Sequence, residues 1–200
     1  MNCFLKIDEI HPKMDGWATL EKAQTLASIV LAFRPKVSVE IGVYAGKSLI
    51  PIALAHKEVS GIVYGIDPWS VEAAQEGYDK ENADWWGRKD NLDRVRMETF
   101  GWIESLNLGS HCKIIRKKSD DVTPFDCDLA HIDGQHSSVC IRDVTRFVLP
   151  MKVGSIVVMD DIGWTNNGVA HVSQAVDLME KNGWVKLYNL ETGAVFQRRY

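Results

Sequence analysis

Apolar residues recur along this chain in two rhythms: short continuous runs, and longer stretches spaced three or four apart. The runs Val37 to Ile41, Gly61 to Asp67, Cys112 to Arg116, Phe125 to Asp133 and Gly154 to Met159 are short and mostly branched, which predicts buried strands. Between them lie helical patterns. Met14 to Phe33 places Trp17, Leu20, Ala23, Leu26, Ala27, Val30 and Leu31 on a stripe that Pro35 stops, so it reads as a packing helix rather than a lid. Ser48 to His56, the stretch from Val139 to Val148 ending before Pro150, and Val169 to Lys181 predict three more helices. Trp184 to Leu190 and Ala194 to Arg199, joined by Glu191-Thr192-Gly193, read as an antiparallel hairpin. Such alternation before a terminal hairpin predicts a doubly wound α/β sheet in one domain, with the nearly all-apolar Gly154–Met159 at its centre. Val71 to Leu108 is the least regular region. An insertion there is placed to cap a site, and Trp85-Trp86 reads equally as an acceptor wall, a subunit contact or an anchor to the body.

Composition narrows the class. With 200 residues, 46% apolar and 25% charged, the chain matches an ordinary globular domain. A net charge of -4 gives no pull toward nucleic acid or anionic membrane, so neither is an expected partner. Met1 to Lys6 is too soon interrupted by charge for a signal peptide, and no apolar run approaches a membrane span, which makes the cytoplasm the expected compartment. The four cysteines form no C-x-x-C pair, and Cys112 and Cys127 fall in apolar runs as buried thiols. Seven tryptophans, several outside the strands, suggest aromatic walls around a pocket.

The candidate chemistry gathers where strands end. Val37 to Ser48 reads V-S-V-E-I-G-V-Y-A-G-K-S: a strand bearing Glu40, a turn through Gly42, Tyr44 and Gly46, then a helix after Ser48. That order makes a cradle for a nucleotide-like ligand, because glycines admit the backbone and the helix start offers free N–H groups. Asp67 follows Gly46 by about twenty residues, the spacing at which such folds place an acid on ribose hydroxyls, with a cap or turn role as the alternative. Ser119 and Asp120, after the third strand, are positioned to meet an adenine edge, while Lys117-Lys118 reads as a solvated strand end.

Three further acids, Asp133, Asp160 and Asp161, end neighbouring strands. Crowded carboxylates raise one another's pKa unless a cation neutralises them, and an all-oxygen set suits Mg²⁺, Mn²⁺ or Ca²⁺. Asp160 and Asp161 reach one ion only if the chain turns there, for which Gly163 stands nearby; a helix cap plus a solvated acid is the alternative. His136, in the turn after Asp133, is a candidate general base.

The pattern E-x-G-x-x-x-G-x-S, with Glu40, Gly42, Gly46 and Ser48, resembles the first motif of class I S-adenosylmethionine-dependent methyltransferases. The resemblance implies their seven-stranded fold, S-adenosylmethionine as cofactor, Asp67 on its ribose and Ser119-Asp120 at its adenine. The acids at Asp133, Asp160 and Asp161 are similar to those of cation-dependent O-methyltransferases, such as the catechol and macrolide-sugar enzymes, which implies bound Mg²⁺. His136 matches the catalytic base of the latter, whereas Gly134 departs from the catechol pattern. The implied reaction is methylation of a hydroxyl on a small polyhydroxylated acceptor, for example a sugar, with Trp69 and Trp164 as wall residues. A metal-independent methyltransferase and a non-catalytic binding module on the same fold are the alternatives, and a homo-oligomer stays open.

Overall fold

The computed structural model describes residues 2–88 and 92–200. Five parallel strands, β1 (Val37–Ile41), β2 (Ile62–Ile66), β3 (Cys112–Ile115), β4 (Leu129–Ile132) and β5 (Ile156–Met159), are completed by the hairpin β6 (Trp184–Leu190) and β7 (Gly193–Arg198). The order is β3-β2-β1-β4-β5-β7-β6, with β7 antiparallel to both of its neighbours. This is the doubly wound sheet with a terminal hairpin that the sequence pattern predicts. The order reverses between β1 and β4, and ligands of open parallel sheets sit at such a switch point, beyond the carboxyl ends.

Helices cover both faces. On one lie α1 (Cys3–Ile10), α2 (Leu20–Phe33) and α3 (Leu49–Val59), whose Ile7, Leu26, Val30, Leu49 and Ile52 are buried together. The insertion contributes α4 (Val71–Gln75), α5 (Lys80–Arg88) and α6 (Leu92–Ser105), with Leu92 joining the same core. Residues 89–91 of this expected cap lie outside the described residues, as does Met1. The other face holds α7 (Ser138–Asp143), continued by a π-turn over Val144–Val148, and α8 (His171–Lys181), around Phe147, Val176 and Trp184. β4 and β5 are buried along their whole length, as strands covered on both faces must be. All four cysteines are buried and free. Among the described residues no helix is long and apolar enough to cross a membrane.

One element differs from the sequence pattern. The stripe read from Met14 forms helix only from Leu20, because Thr19 caps it by accepting from the Lys22 N–H. Trp17 is thereby left outside the helix and exposed. α1 lies ahead of the stripe read from Met14, within the first 34 residues expected to be helical; it is two turns long, and its Cys3, Ile7 and Ile10 are the buried face.

Candidate active site

The turn after β1 is held open by left-handed backbone, with Gly42 at φ +87°, Gly46 at +79° and even Tyr44 at +49°. A Cβ on Gly42 would lie 2.2 Å from the Asp133 carbonyl oxygen, so the absence of a side chain lets this turn press against the loop after β4. Asp67 fastens the turn from the other side. One carboxylate oxygen accepts from the Val43 and Tyr44 N–H groups at 2.9 and 3.0 Å, and the other from Trp69 N–H at 2.7 Å. Burial pushes its carboxyl up, and those three bonds pull it back.

Glu40 lies off the cavity wall. Its register partner on β4 is His131, and both side chains are wholly buried. Ser48 Oγ donates to Glu40 Oε1 at 2.8 Å, and His131 Nδ1 lies 3.2 Å from Oε2. Glu40 is thus a core carboxylate beneath the turn. The strand's pleat points it inward, and the cavity wall begins at Ile41. The Asp120 carboxylate is gripped by the Arg142 guanidinium at 2.8 Å, which holds it below the usual carboxylate range. Ser119 is buried on the cavity wall, which Asp143 also lines.

Asp133, His136, Asp160 and Asp161 do converge. The turn needed at Asp160-Asp161 comes from Asp161 itself, at φ +47°, rather than from Gly163. His136 sits in the loop before Ser137, the cap of α7, with its backbone N–H donating to Tyr78 Oη at 3.0 Å. Its Nε2 is 3.3 Å from Asp161 Oδ2, and its ring lies 5.1 Å from that of Trp164. Burial lowers the imidazole below its usual value against the pull of Asp161 and Asp160, and Lys22 adds to the lowering. The lowering favours the neutral ring, the form a base needs.

Lys22 is the residue that sequence reading missed. It is 3% exposed and reaches from the first turn of α2 to Asp133 Oδ2 at 3.2 Å and into contact with Asp160 Oδ2. Burial works to lower the ammonium, but the two carboxylates outweigh it and hold the pKa above the usual lysine value. For Asp160, burial works upward while Lys22, then His131, bring it below the usual carboxylate range. Asp133 goes the other way. Burial raises it well above the ordinary value, with Lys22 opposing and Asp160 and Glu40 adding. The signal was present in the spacing, since Lys22 shares the buried stripe of Leu26, Ile29 and Val30. His131, a histidine inside an apolar strand, and Thr192, whose hydroxyl donates to Asp160 Oδ1 at 3.1 Å, are further additions.

Two sets, His131–Asp133–Asp160 and Asp133–His136–Asp161, bring their ligand atoms within 4.8 Å of one another. The carboxylate chemistry suits a hard ion, but an ion bonded at about 2.1 Å to the Oδ2 atoms of Asp133 and Asp160 would meet the Lys22 ammonium on the same oxygens. As arranged, the Asp133–Asp160 pair does not fit a divalent cation, because Lys22 stands on the oxygens that would bind it.

One cavity of about 640 Å³ joins all of these parts. Its wall includes Gly42, Tyr44, Ser48, Asp67, Ser119 and Asp120. Lys22, Asp133, His136, Asp160 and Asp161 line it too, as do Trp69, Trp85, Trp86 and Trp164. A family model described as a methyltransferase domain matches residues 39–162. The chain belongs to that methyltransferase family. No curated protein matches this methyltransferase by sequence. Solved structures do match its fold. The O-methyltransferase NovP superposes with a TM-score of 0.70 at 16% identity, covering 100% of both chains. TomG from Streptomyces achromogenes, in complex with SAM, gives 0.64 at 13% identity over 100% of this chain and 91% of that one. An O-methyltransferase from Bacillus cereus, in complex with SAH, gives 0.64 at 13% over 97% and 89%.

Proposed function

We propose that this methyltransferase moves a methyl group from S-adenosylmethionine to a hydroxyl of a small polyhydroxylated acceptor, with His136 as the base. The supporting observation is the one cavity that the glycine turn, Asp67 and His136 all line. The donor's ribose would lie against Asp67 and its adenine against Ser119, beneath the open turn. Its methyl would then face His136, which takes the acceptor's proton as the oxygen attacks; the carbon–sulfur electron pair leaves on sulfur. The step neutralises charge, so tryptophan walls that exclude water favour it, and alignment of the two substrates supplies much of the rate. Asp161, beside His136 Nε2, would steady the imidazolium as it forms.

The ion-assisted version, with Mg²⁺ at Asp133, Asp160 and Asp161, is the second reading. The convergence of those carboxylates favours it, and it requires Lys22 to leave. In either version a base beside the donor speaks against a pure binding module. The test is transfer of labelled methyl to a panel of small hydroxylated acceptors by the wild type and by His136→Ala. Label transfer should fall about 10²- to 10⁴-fold in the variant while it still binds S-adenosylhomocysteine. Equal transfer by both proteins would remove His136 from the chemistry.

A further inference from the structure

Resting on the methyl-transfer reading, we propose that Lys22 is the site's own cation: its ammonium takes the place between Asp133 and Asp160 that a divalent ion would fill, and it donates a hydrogen bond to the acceptor oxygen as that oxygen loses its proton. The geometry supports each part. Lysines are almost never fully buried without a partner, and this one reaches two carboxylates that lie 111 and 138 residues away in sequence. Its anchor is hydrogen-bonded on both sides. Thr19 Oγ1 accepts from the Lys22 N–H at 3.1 Å and itself donates to Glu191 in the β6–β7 turn, while Thr192 of the same turn donates to Asp160 Oδ1 at 3.1 Å. Helix start and hairpin turn thus close around the ion pair from both sides.

An ammonium carries three N–H donors, and the two aspartates engage two of them. Lys22 also lines the cavity beside His136, so the third donor is available to an acceptor placed there. The proton balance then needs no metal. The acceptor O–H proton passes to His136, the oxygen pair forms the new bond to the methyl carbon, and the sulfonium becomes a neutral thioether. Lys22 keeps its protons throughout and stabilises the oxygen while it is negative, as a fixed donor does at a developing oxyanion. The Asp133 and Asp160 carboxylates hold the ammonium in place.

Mn²⁺ titration followed by electron paramagnetic resonance tests this on the full chain saturated with S-adenosylhomocysteine. Wild type should hold Mn²⁺ at this site about tenfold or more weakly than Lys22→Ala, because removing the ammonium frees a carboxylate set suited to that ion. Methyl transfer by wild type should be unchanged in EDTA. In Lys22→Ala it should fall about 100-fold and recover in part with added Mn²⁺, a rescue that a merely structural lysine would not show. Lys22→Met keeps the aliphatic stem for the case in which Lys22→Ala does not fold. The wild-type Mn²⁺ and EDTA measurements need no variant at all. Stoichiometric Mn²⁺ on wild type displaced by Asp160→Asn, or loss of wild-type turnover in EDTA, would overturn the proposal. Failure of wild type to bind S-adenosylhomocysteine would instead count against the methyl-transfer reading, and the Mn²⁺ comparison would still decide who occupies the carboxylates.

Discussion

Gly42→Ala is the substitution that most sharply separates backbone freedom from site geometry. Two costs add at Gly42. Its φ of +87° disfavours any L side chain, by about 1–2 kcal/mol. The new Cβ would also sit 2.2 Å from Asp133 O and 2.7 Å from Gly134 Cα, and backbone cannot step aside as a side-chain tip can. Overpacking of that kind costs about 1–3 kcal/mol. Together they predict a loss of about 2–5 kcal/mol, or about 4–20 °C in Tm for a chain of this size. Gly154→Ala is the internal control: its φ is +92°, but nothing lies within 4 Å of the added Cβ. It should show only the first cost, about 2–8 °C. Thermal unfolding of both variants reads the difference. S-adenosylhomocysteine binding should weaken in Gly42→Ala, because the glycine turn and the Asp133 loop must separate, and stay at wild-type strength in Gly154→Ala. Equal Tm losses in the two variants, with wild-type ligand affinity in Gly42→Ala, would refute the close approach of turn and loop.

Other substitutions test neighbouring parts. Asp67→Ala leaves the Val43, Tyr44 and Trp69 N–H groups without their acceptor, which should cost about 1–3 kcal/mol in unfolding free energy and weaken S-adenosylhomocysteine in calorimetry; unchanged affinity would remove Asp67 from the cofactor site. Ser48→Ala should lower stability by about 1–3 kcal/mol through the buried Glu40 carboxylate, and Glu40→Gln should change stability more than ligand affinity; the reverse ranking would return Glu40 to the ligand. Burial raises the Asp143 carboxyl from 3.8 to about 7, so the folded state holds its proton more tightly than the unfolded chain. Stability should therefore fall as pH rises from 3.8 to about 7 and level off above, and Asp143→Asn should flatten that fall and raise Tm at pH 8. An unaltered pH profile in Asp143→Asn would show that this carboxyl does not carry the effect.

The fold was legible because burial on both faces leaves an unmistakable trace: β5 is a continuous apolar run, β4 is apolar but for His131, and an acid follows each. The glycine turn and the convergence of Asp133, His136, Asp160 and Asp161 followed from strand polarity alone. The parts that escaped depend on contacts between distant segments. The spacing puts Lys22 on the buried stripe of α2, but only when α2 packs does its ammonium meet the carboxylates after β4 and β5. Glu40 sits next to the ligand turn in sequence, but its register opposite His131 turns it into the core. Asp120 lines the cavity, and its arginine partners on and just after α7 were not visible from its own loop. Thr192 reaches the site because β7 pairs antiparallel with β5, with Ala194 opposite Met159, and carries the hairpin turn to the end of β5.

The measurement that bears most directly on the central claim is a calorimetric titration of the purified chain with S-adenosylhomocysteine, with NAD as the control ligand. The cavity beside Gly42 and Asp67 predicts saturable one-to-one binding of the nucleoside thioether and none of NAD. Binding of NAD alone, or of neither ligand, would contradict the assignment of this cavity to a methyl donor.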